Sequence, residues 1–341
     1  MTSPSPNQTT PTHAPVPTSH PSSHRATRAG ILFGLAAYGF WGITPIYFKA
    51  LTGDYYHLLN GATVPAIEIL AHRIVWSVVF LAFILTMRKQ WGELIYAVRT
   101  PKTLITLIIT TGLIGINWFV FIWAVGHGRI LETSLGYYMN PLVNVFLGMV
   151  FLRERLRIGG WIALSIAAVG VGILTLAGAE GDHFPWIAIL LAFSFGMYGL
   201  LRKIAPVNGV PGLAFETMLL APIALGFLIH LANQGEGHFL TVNMSADTLL
   251  IAAGLVTIFP LICFANAARR LRLSTLGFLQ YVAPTENFLL GVFMFGESVT
   301  PARWVAFAFI WVALAIYSAD TARHSSQIAT GKSNSANKQE K

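Results

Sequence analysis

The residues of this chain that could do chemistry are polar side chains set inside long apolar runs. Tyr137, Pro141, Asn144 and Gly148 succeed one another in steps of 4, 3 and 4, which keeps them on one helical face. Gln280, Pro284, Asn287 and Gly291 repeat the stripe with the same spacing at its end. A proline in mid-helix leaves the carbonyl four residues earlier without its donor, so a free acceptor lies beside amides that can complete a solute's hydrogen bonds. This is chemistry of binding rather than of bond breaking. The same stripes also suit a packing seam, where small residues let helices approach and Asn side chains bridge them. Asn140 beside Pro141, with Asn117 and Trp41 in other runs, completes the candidate substrate-binding set. Trp118, Tyr38, Pro45 and Asn266 are weaker candidates of the same kind.

Ionisable groups in apolar runs are costly, and each is a candidate for coupling or gating. Glu286 lies about twelve residues into its run, ~18 Å deep at the helical rise. There it is a proton carrier or a paired structural acid, and it points ~100° away from Asn287. Glu68 and His72 stand four apart and can touch. Arg73 is deep enough to need a partner, and the expected partner is Glu216 or Glu68, forming a gate or a structural lock. No catalytic residues are apparent. Asp54, His57, Glu236, His238 and Asp247, in the longest loops, are too scattered for a metal site. No GxxxxGK[ST] loop occurs, so no nucleotide is expected to power the chain directly, and no cofactor is expected.

These side chains need elements that span a bilayer. Of 341 residues, 55% are hydrophobic and 11% charged, with a mean hydropathy of +0.63. A soluble domain carries about a quarter of its residues as charges, so the surface here is built for lipid. Ten apolar runs are long enough to cross, near 30–50, 64–87, 103–125, 131–152, 159–178, 185–201, 210–230, 248–268, 274–296 and 302–319. The fold class is therefore all-α integral membrane.

With both termini cytoplasmic, the inner loops collect clusters such as Arg88-Lys89, Arg153 to Arg157, Arg202-Lys203 and Arg269 to Arg272. The outer side keeps only Arg129 and Arg303, while Lys49 and Arg73 fall within helices. That alternation accounts for the net charge of +8 and excludes a nucleic-acid partner. Residues 1–28, rich in Pro, Ser and Thr, are expected to be a disordered tail, and 320–341 a polar one. Cys263, alone, can form no internal disulfide.

A shift of 143 positions lays the second half on the first. Tyr138 meets Tyr281, Pro141 meets Pro284, Asn144 meets Asn287, Gly148 meets Gly291, Glu154 meets Glu297 and Trp161 meets Trp304. The repeats are 29–178 and 185–319. Five helices each, an odd number, turn the second copy upside down. Inverted repeats of this kind mark alternating-access transporters, with the site at mid-membrane between the halves. A small-molecule substrate and the bilayer are the expected partners, and a homodimer is left open. A lipid flippase or a membrane-embedded lipid-modifying enzyme is the rival reading.

The residues Asn140-Pro141, Arg153-Glu154-Arg155-Leu156 and Gly170-Val171-Gly172-Ile173-Leu174 resemble the signature of the EamA branch of the drug/metabolite transporter superfamily. Phe40-Trp41-Gly42 with Lys49, then Ala71-His72-Arg73, are similar to that branch's first two helices. Ile116-Asn117-Trp118 and the run from Ser134 to Pro141 resemble its RarD-type, or chloramphenicol-sensitive protein, family. The resemblance covers about residues 29–320. It implies ten helices, a bacterial inner membrane and export of small metabolites or drugs without enzymatic chemistry. Helix ten departs from the pattern, since Ala306–Tyr317 lacks the glycine pair seen near 170.

Overall fold

Each apolar run marked as a span is helical in the computed structural model, which describes residues 23–52, 57–127, 129–178, 185–296 and 299–339. The helices are α1 (Ser23–Thr52), α2 (Ala66–Met87), α3 (Trp91–Arg99), α4 (Pro101–Gly126), α5 (Ile130–Leu152) and α6 (Ile158–Gly178). The second half holds α7 (Trp186–Ile204), α8 (Gly209–Gln234), α9 (Met244–Arg270), α10 (Leu273–Gln280), α11 (Val282–Leu289) and α12 (Pro301–Gln339). In hydrocarbon the backbone must satisfy its own hydrogen bonds, and a helix does so within one segment.

Nine of these helices, among the described residues, are individually long and apolar enough to cross a membrane. The remaining pass, the ninth, expected over 274–296, is assembled from α10, α11 and a π-helical turn over Leu290–Met294. Pro284 supplies no N–H and crowds the carbonyl of Gln280, the residue at which α10 stops. The short α3 was not foreseen. It keeps Leu94 and Ala97 buried while Tyr96 and Ile95 stay exposed. Its Glu93 accepts from the backbone and side chain of Asn208 at 2.8 and 2.9 Å, tying it to the start of α8.

The tail segments are described only in part. Residues 1–22 of the expected N-terminal tail lie outside the described residues, and from Ser23 the chain is already helical. The polar stretch after Asp320 continues α12 as helix to Gln339. Glu297, the repeat partner of Glu154, lies outside the described residues.

Helix contacts obey the inverted repeat. The α5–α7 pair is mirrored by α10–α11 against α1, α1–α9 by α7–α4, and α2–α9 by α8–α4. The pairs α2–α8, α5–α10 and α6–α12 relate to themselves across the pseudo-twofold axis. Thr27, Arg157, Arg272 and Thr321 line one crevice, so the start of α1 and Thr321 of α12 lie at the same end of the bundle. That end, which carries the arginine clusters, is here termed the basic face, and the other the far face.

Close approaches use glycine. A Cβ at Gly277 would lie 2.8 Å from the Pro141 carbonyl oxygen, and one at Gly254 would lie 2.6 Å from the Trp76 carbonyl carbon. Backbone packed this closely is how membrane helices associate without a hydrophobic driving force. The glycine pair missing from helix ten is no obstacle, because Gly170 of α6 meets the Ala306 carbonyl of α12 directly, and Ala313 stands buried at its own position in the repeat.

Candidate functional site

A cavity of about 450 Å³ lies on the seam between the repeats, walled by α1, α2, α4, α5 and α11 with α7, α9 and α10 at its inner end. On α1 its lining runs from Tyr38 through Trp41, Thr44, Pro45 and Phe48 to Lys49 and Thr52. Because α1 leaves the basic face, that order carries the cavity from mid-bundle to the far face. On α2, which starts at the far face, the lining is Ala66, Ile69, Leu70 and Arg73, in the far half again.

Towards the basic face the cavity is shut by packed rings. Tyr38, Trp41, Phe195, Tyr198 and Phe264 come from α1, α7 and α9, with centroid separations from 5.1 Å (Phe195–Phe264) to 6.3 Å (Tyr38–Phe264). Below them the halves are stapled together. Arg153 adopts a left-handed backbone (φ 53) that ends α5. Glu154 then accepts from the backbone N–H groups of Leu273 and Ser274 at 2.6 and 3.0 Å and from the Ser274 hydroxyl at 2.7 Å. A carboxylate on the free donors of a helix start is a strong cap. Glu154, part of the motif that carries the family resemblance, thus binds the two repeats together. Lys203 donates to the carbonyls of Ala268 and Leu271 in the same region.

The cavity wall gathers most of the residues singled out as binding candidates. Tyr137, Asn140, Gln280, Asn287, Asn117 and Trp41 all line it, as does Arg73. Their hydrogen-bonding capacity is already partly committed. The Asn117 amide nitrogen donates to the Leu191 carbonyl at 3.0 Å and to Ser194 at 2.9 Å, leaving its oxygen without a partner among the described residues. Gln280 Oε1 accepts from Asn144 at 2.8 Å, leaving the Gln280 NH₂ as a donor. The Asn140 Oδ1 and Tyr38 Oη atoms are buried and make no hydrogen bond among the described residues. A solute entering between them would meet an unpaired acceptor and an unpaired hydroxyl, groups that are costly to leave unmatched.

Asn144 is the exception. It is fully buried behind the wall, facing Gly196, Gly199 and Gly277, and its only partner among the described residues is Gln280. The stripe on α5 therefore divides, with Tyr137 in the cavity and Asn144 and Gly148 in the seam. Helical period puts residues on one face, but α7 and α10 cover only the inner end of that face.

The expected pairing of Arg73 with Glu216 or Glu68 does not occur. Glu216 lies 3.7 Å from Arg202 Nη1 and accepts from Thr110 at 2.6 Å and Tyr198 at 3.1 Å, all in the basic half. Glu68 accepts from the backbone N–H of His238 at 2.7 Å and meets its ring Nδ1 at 2.8 Å, with His72 at 3.9 Å. Inversion explains the miss for Glu216: equivalent positions in antiparallel copies lie at opposite depths, except near mid-membrane. Arg73 instead donates from Nε to Thr257 Oγ1 at 2.9 Å. Glu286 faces α1, its carboxylate 3.6 Å from where a Cβ at Gly39 would sit, and does not line the cavity.

Sequence reasoning passed over Phe195, Tyr198 and Phe264 in the aromatic floor, and Arg202, Thr257 and His238 as partners. The shift of 143 positions also lays Phe121 on Phe264, and that was the one available hint. Single aromatics in apolar runs are otherwise indistinguishable from core.

Comparison with known proteins is consistent across three scales. The EamA-like transporter family matches residues 28–176. Protein RarD of Escherichia coli (strain K12) is 48% identical over 296 residues, covering 87% of this chain and 96% of that protein. An uncharacterized transporter of Vibrio cholerae is 46% identical over 294 residues, covering 86% and 93%. A protein from Pseudomonas aeruginosa named chloramphenicol-sensitive protein RarD is 31% identical over 306 residues, covering 88% and 96%. A solved crystal structure superposes with a TM-score of 0.65 at 20% identity, covering 87% of this chain and 98% of its own, a likeness of fold alone.

Proposed function

The chain belongs to the EamA-like transporter family, in its RarD-type branch, and from that premise we propose that it is a secondary transporter exporting small amphipathic solutes by alternating access. The observation that carries this reading is the cavity on the repeat seam, reachable from one half of the bundle and sealed towards the other by aromatic rings. We place the basic face in the cytoplasm of a bacterial inner membrane, an orientation that the positive-inside rule supports and that would make this an outward-facing state. In the inward state the Glu154 cap and the ring layer would part, and the equivalent helices of the other half would close.

Glu286 is the proposed proton carrier. Its carboxylate packs against Gly39 and Gly42 of α1, so gain or loss of a proton alters the α1–α11 contact beside the cavity. The reading is tested in proteoliposomes with an imposed pH gradient and a panel of small amphiphiles. Gradient-driven accumulation is expected in the wild type. In Glu286→Gln it should collapse while solute exchange continues. Equal loss of both modes removes Glu286 from coupling, and no movement of any solute removes the transporter reading.

The two asparagines of the repeat should behave differently despite their equivalence. Asn287→Ala is expected to lower transport with little change in melting temperature. Asn144→Ala should leave Gln280 Oε1 without its donor and cost about 1 kcal/mol of stability. Parallel transport and thermal-denaturation measurements on both variants check this. An Asn144→Ala protein with unaltered melting but failed transport would return Asn144 to the binding set.

A further inference from the structure

We propose that the cavity selects organic anions, specifically compounds joining a carboxylate to a flat apolar body, with Arg73 as the carboxylate receptor. The inference rests on reading this cavity as the transport site, and it adds the charge class of the solute.

Arg73 lines the cavity in its far half. No carboxylate of the described residues lies within ion-pair distance of it. Of the five guanidinium N–H groups, only that on Nε finds a protein acceptor there, the Thr257 hydroxyl at 2.9 Å. Thr257 gives its own proton to the Ala253 carbonyl at 2.8 Å, so its oxygen is fixed as an acceptor and the plane of the guanidinium is held. The two NH₂ groups make no hydrogen bond among the described residues. An arginine with one edge anchored and the other unpaired presents the parallel donors that a carboxylate accepts two at a time.

The surroundings favour an anion over other ways of satisfying this charge. Among the described lining residues there is no aspartate or glutamate, whereas Arg73 contributes a cation. A cation kept within a membrane span at this depth is expensive unless something compensates it. Part of the compensation is aromatic. The guanidinium carbon lies 5.6 Å from the Phe48 ring centroid and 5.5 Å from that of Trp118, at cation–π distance. Those rings also line the cavity beside Arg73, and Tyr137 and Phe121, which contact each other, add further aromatic surface to it. A carboxylate with a flat body satisfies the charge and the walls together. A cationic amphiphile would meet Arg73 with no acid to offset the repulsion.

The test uses three probes of one shape and different charge, indole-3-acetate, indole-3-acetamide and tryptamine, titrated calorimetrically into the detergent-solubilised full-length protein. The acetate is expected to bind at least about tenfold more tightly than the amide, the scale of a charge-assisted pair. Arg73→Gln should erase that preference, and Arg73→Lys should keep part of it. Equal or tighter binding of the amide or of tryptamine by the wild type, weakened by Trp118→Ala, overturns the anion inference and leaves the cavity as the site. Failure of all three to bind, or binding indifferent to Trp118→Ala, overturns both readings. The wild-type ranking decides the point even should an Arg73 variant fail to fold.

Discussion

Arg202→Met is expected to destabilise the protein by about 3–5 kcal/mol, the usual consequence of removing one member of a buried ion pair. Arg202 and Glu216 are each 1% exposed, and their nearest atoms stand 3.7 Å apart. Arg202 Nη2 donates to the Gly209 carbonyl at 3.0 Å, so the same side chain also holds the start of α8. Without the guanidinium, Glu216 would keep only the Thr110 and Tyr198 hydroxyls, too little for a carboxylate far from water. The double variant Arg202→Met with Glu216→Leu should recover much of the loss, because two apolar residues of similar volume leave no charge uncompensated. Thermal denaturation in detergent of the two single variants and the double variant measures the coupling. A double variant no better than Arg202→Met would mean that the two side chains act independently.

Gly254→Val should be nearly as damaging, by about 3 kcal/mol, at the upper end for overpacking. Even a bare Cβ there would fall 2.6 Å from the Trp76 carbonyl carbon and 2.8 Å from the Ser77 nitrogen. Neither atom can turn aside as a side chain could, so α2 and α9 must separate. That contact also carries the Ser77 hydroxyl's hydrogen bond to the Gly254 carbonyl and, one turn away, the Arg73–Thr257 bond. Loss of stability should therefore come with loss of the binding geometry around Arg73. Gly172→Ala is the control, since nothing lies within 4 Å of its Cβ position, and it should stay within about 0.5 kcal/mol of wild type. Melting temperatures of the two variants decide the matter, and a Gly254→Val protein as stable as Gly172→Ala would show that the α2–α9 seam yields easily.

Much of the fold is legible in the residues taken in order. Span positions follow from local hydropathy, and the agreement of 64–87 with α2 or 159–178 with α6 reflects a bilayer thickness that admits few lengths. The division of the ninth pass was also partly visible, as Pro284 stands four residues after Gln280. What local patterns could not reveal was α3, too short to register as a span and polar on one side.

The candidate site was legible in its membership but not in its wiring. Composition and depth identify Asn140, Gln280, Asn287 and Arg73 as expensive residues in lipid, and a bundle with one seam leaves them few places to go. Which of them faces open space depends on the helix lying opposite. Asn144 and Asn287 are equivalent in the repeat, yet α7 buries the first and the cavity exposes the second. Likewise Glu216 and Arg73 share a register, but Arg202 is within reach of only one.

The order of residues alone thus determined the number of crossings, their alternating charge and the inverted duplication, because each follows from one helix at a time meeting lipid or water. Only the tertiary structure decided which end is closed, which polar groups are already spent on one another and which cavity charge has no acidic partner among the described residues. Those outcomes depend on distances between side chains of different helices, and no single helix encodes them.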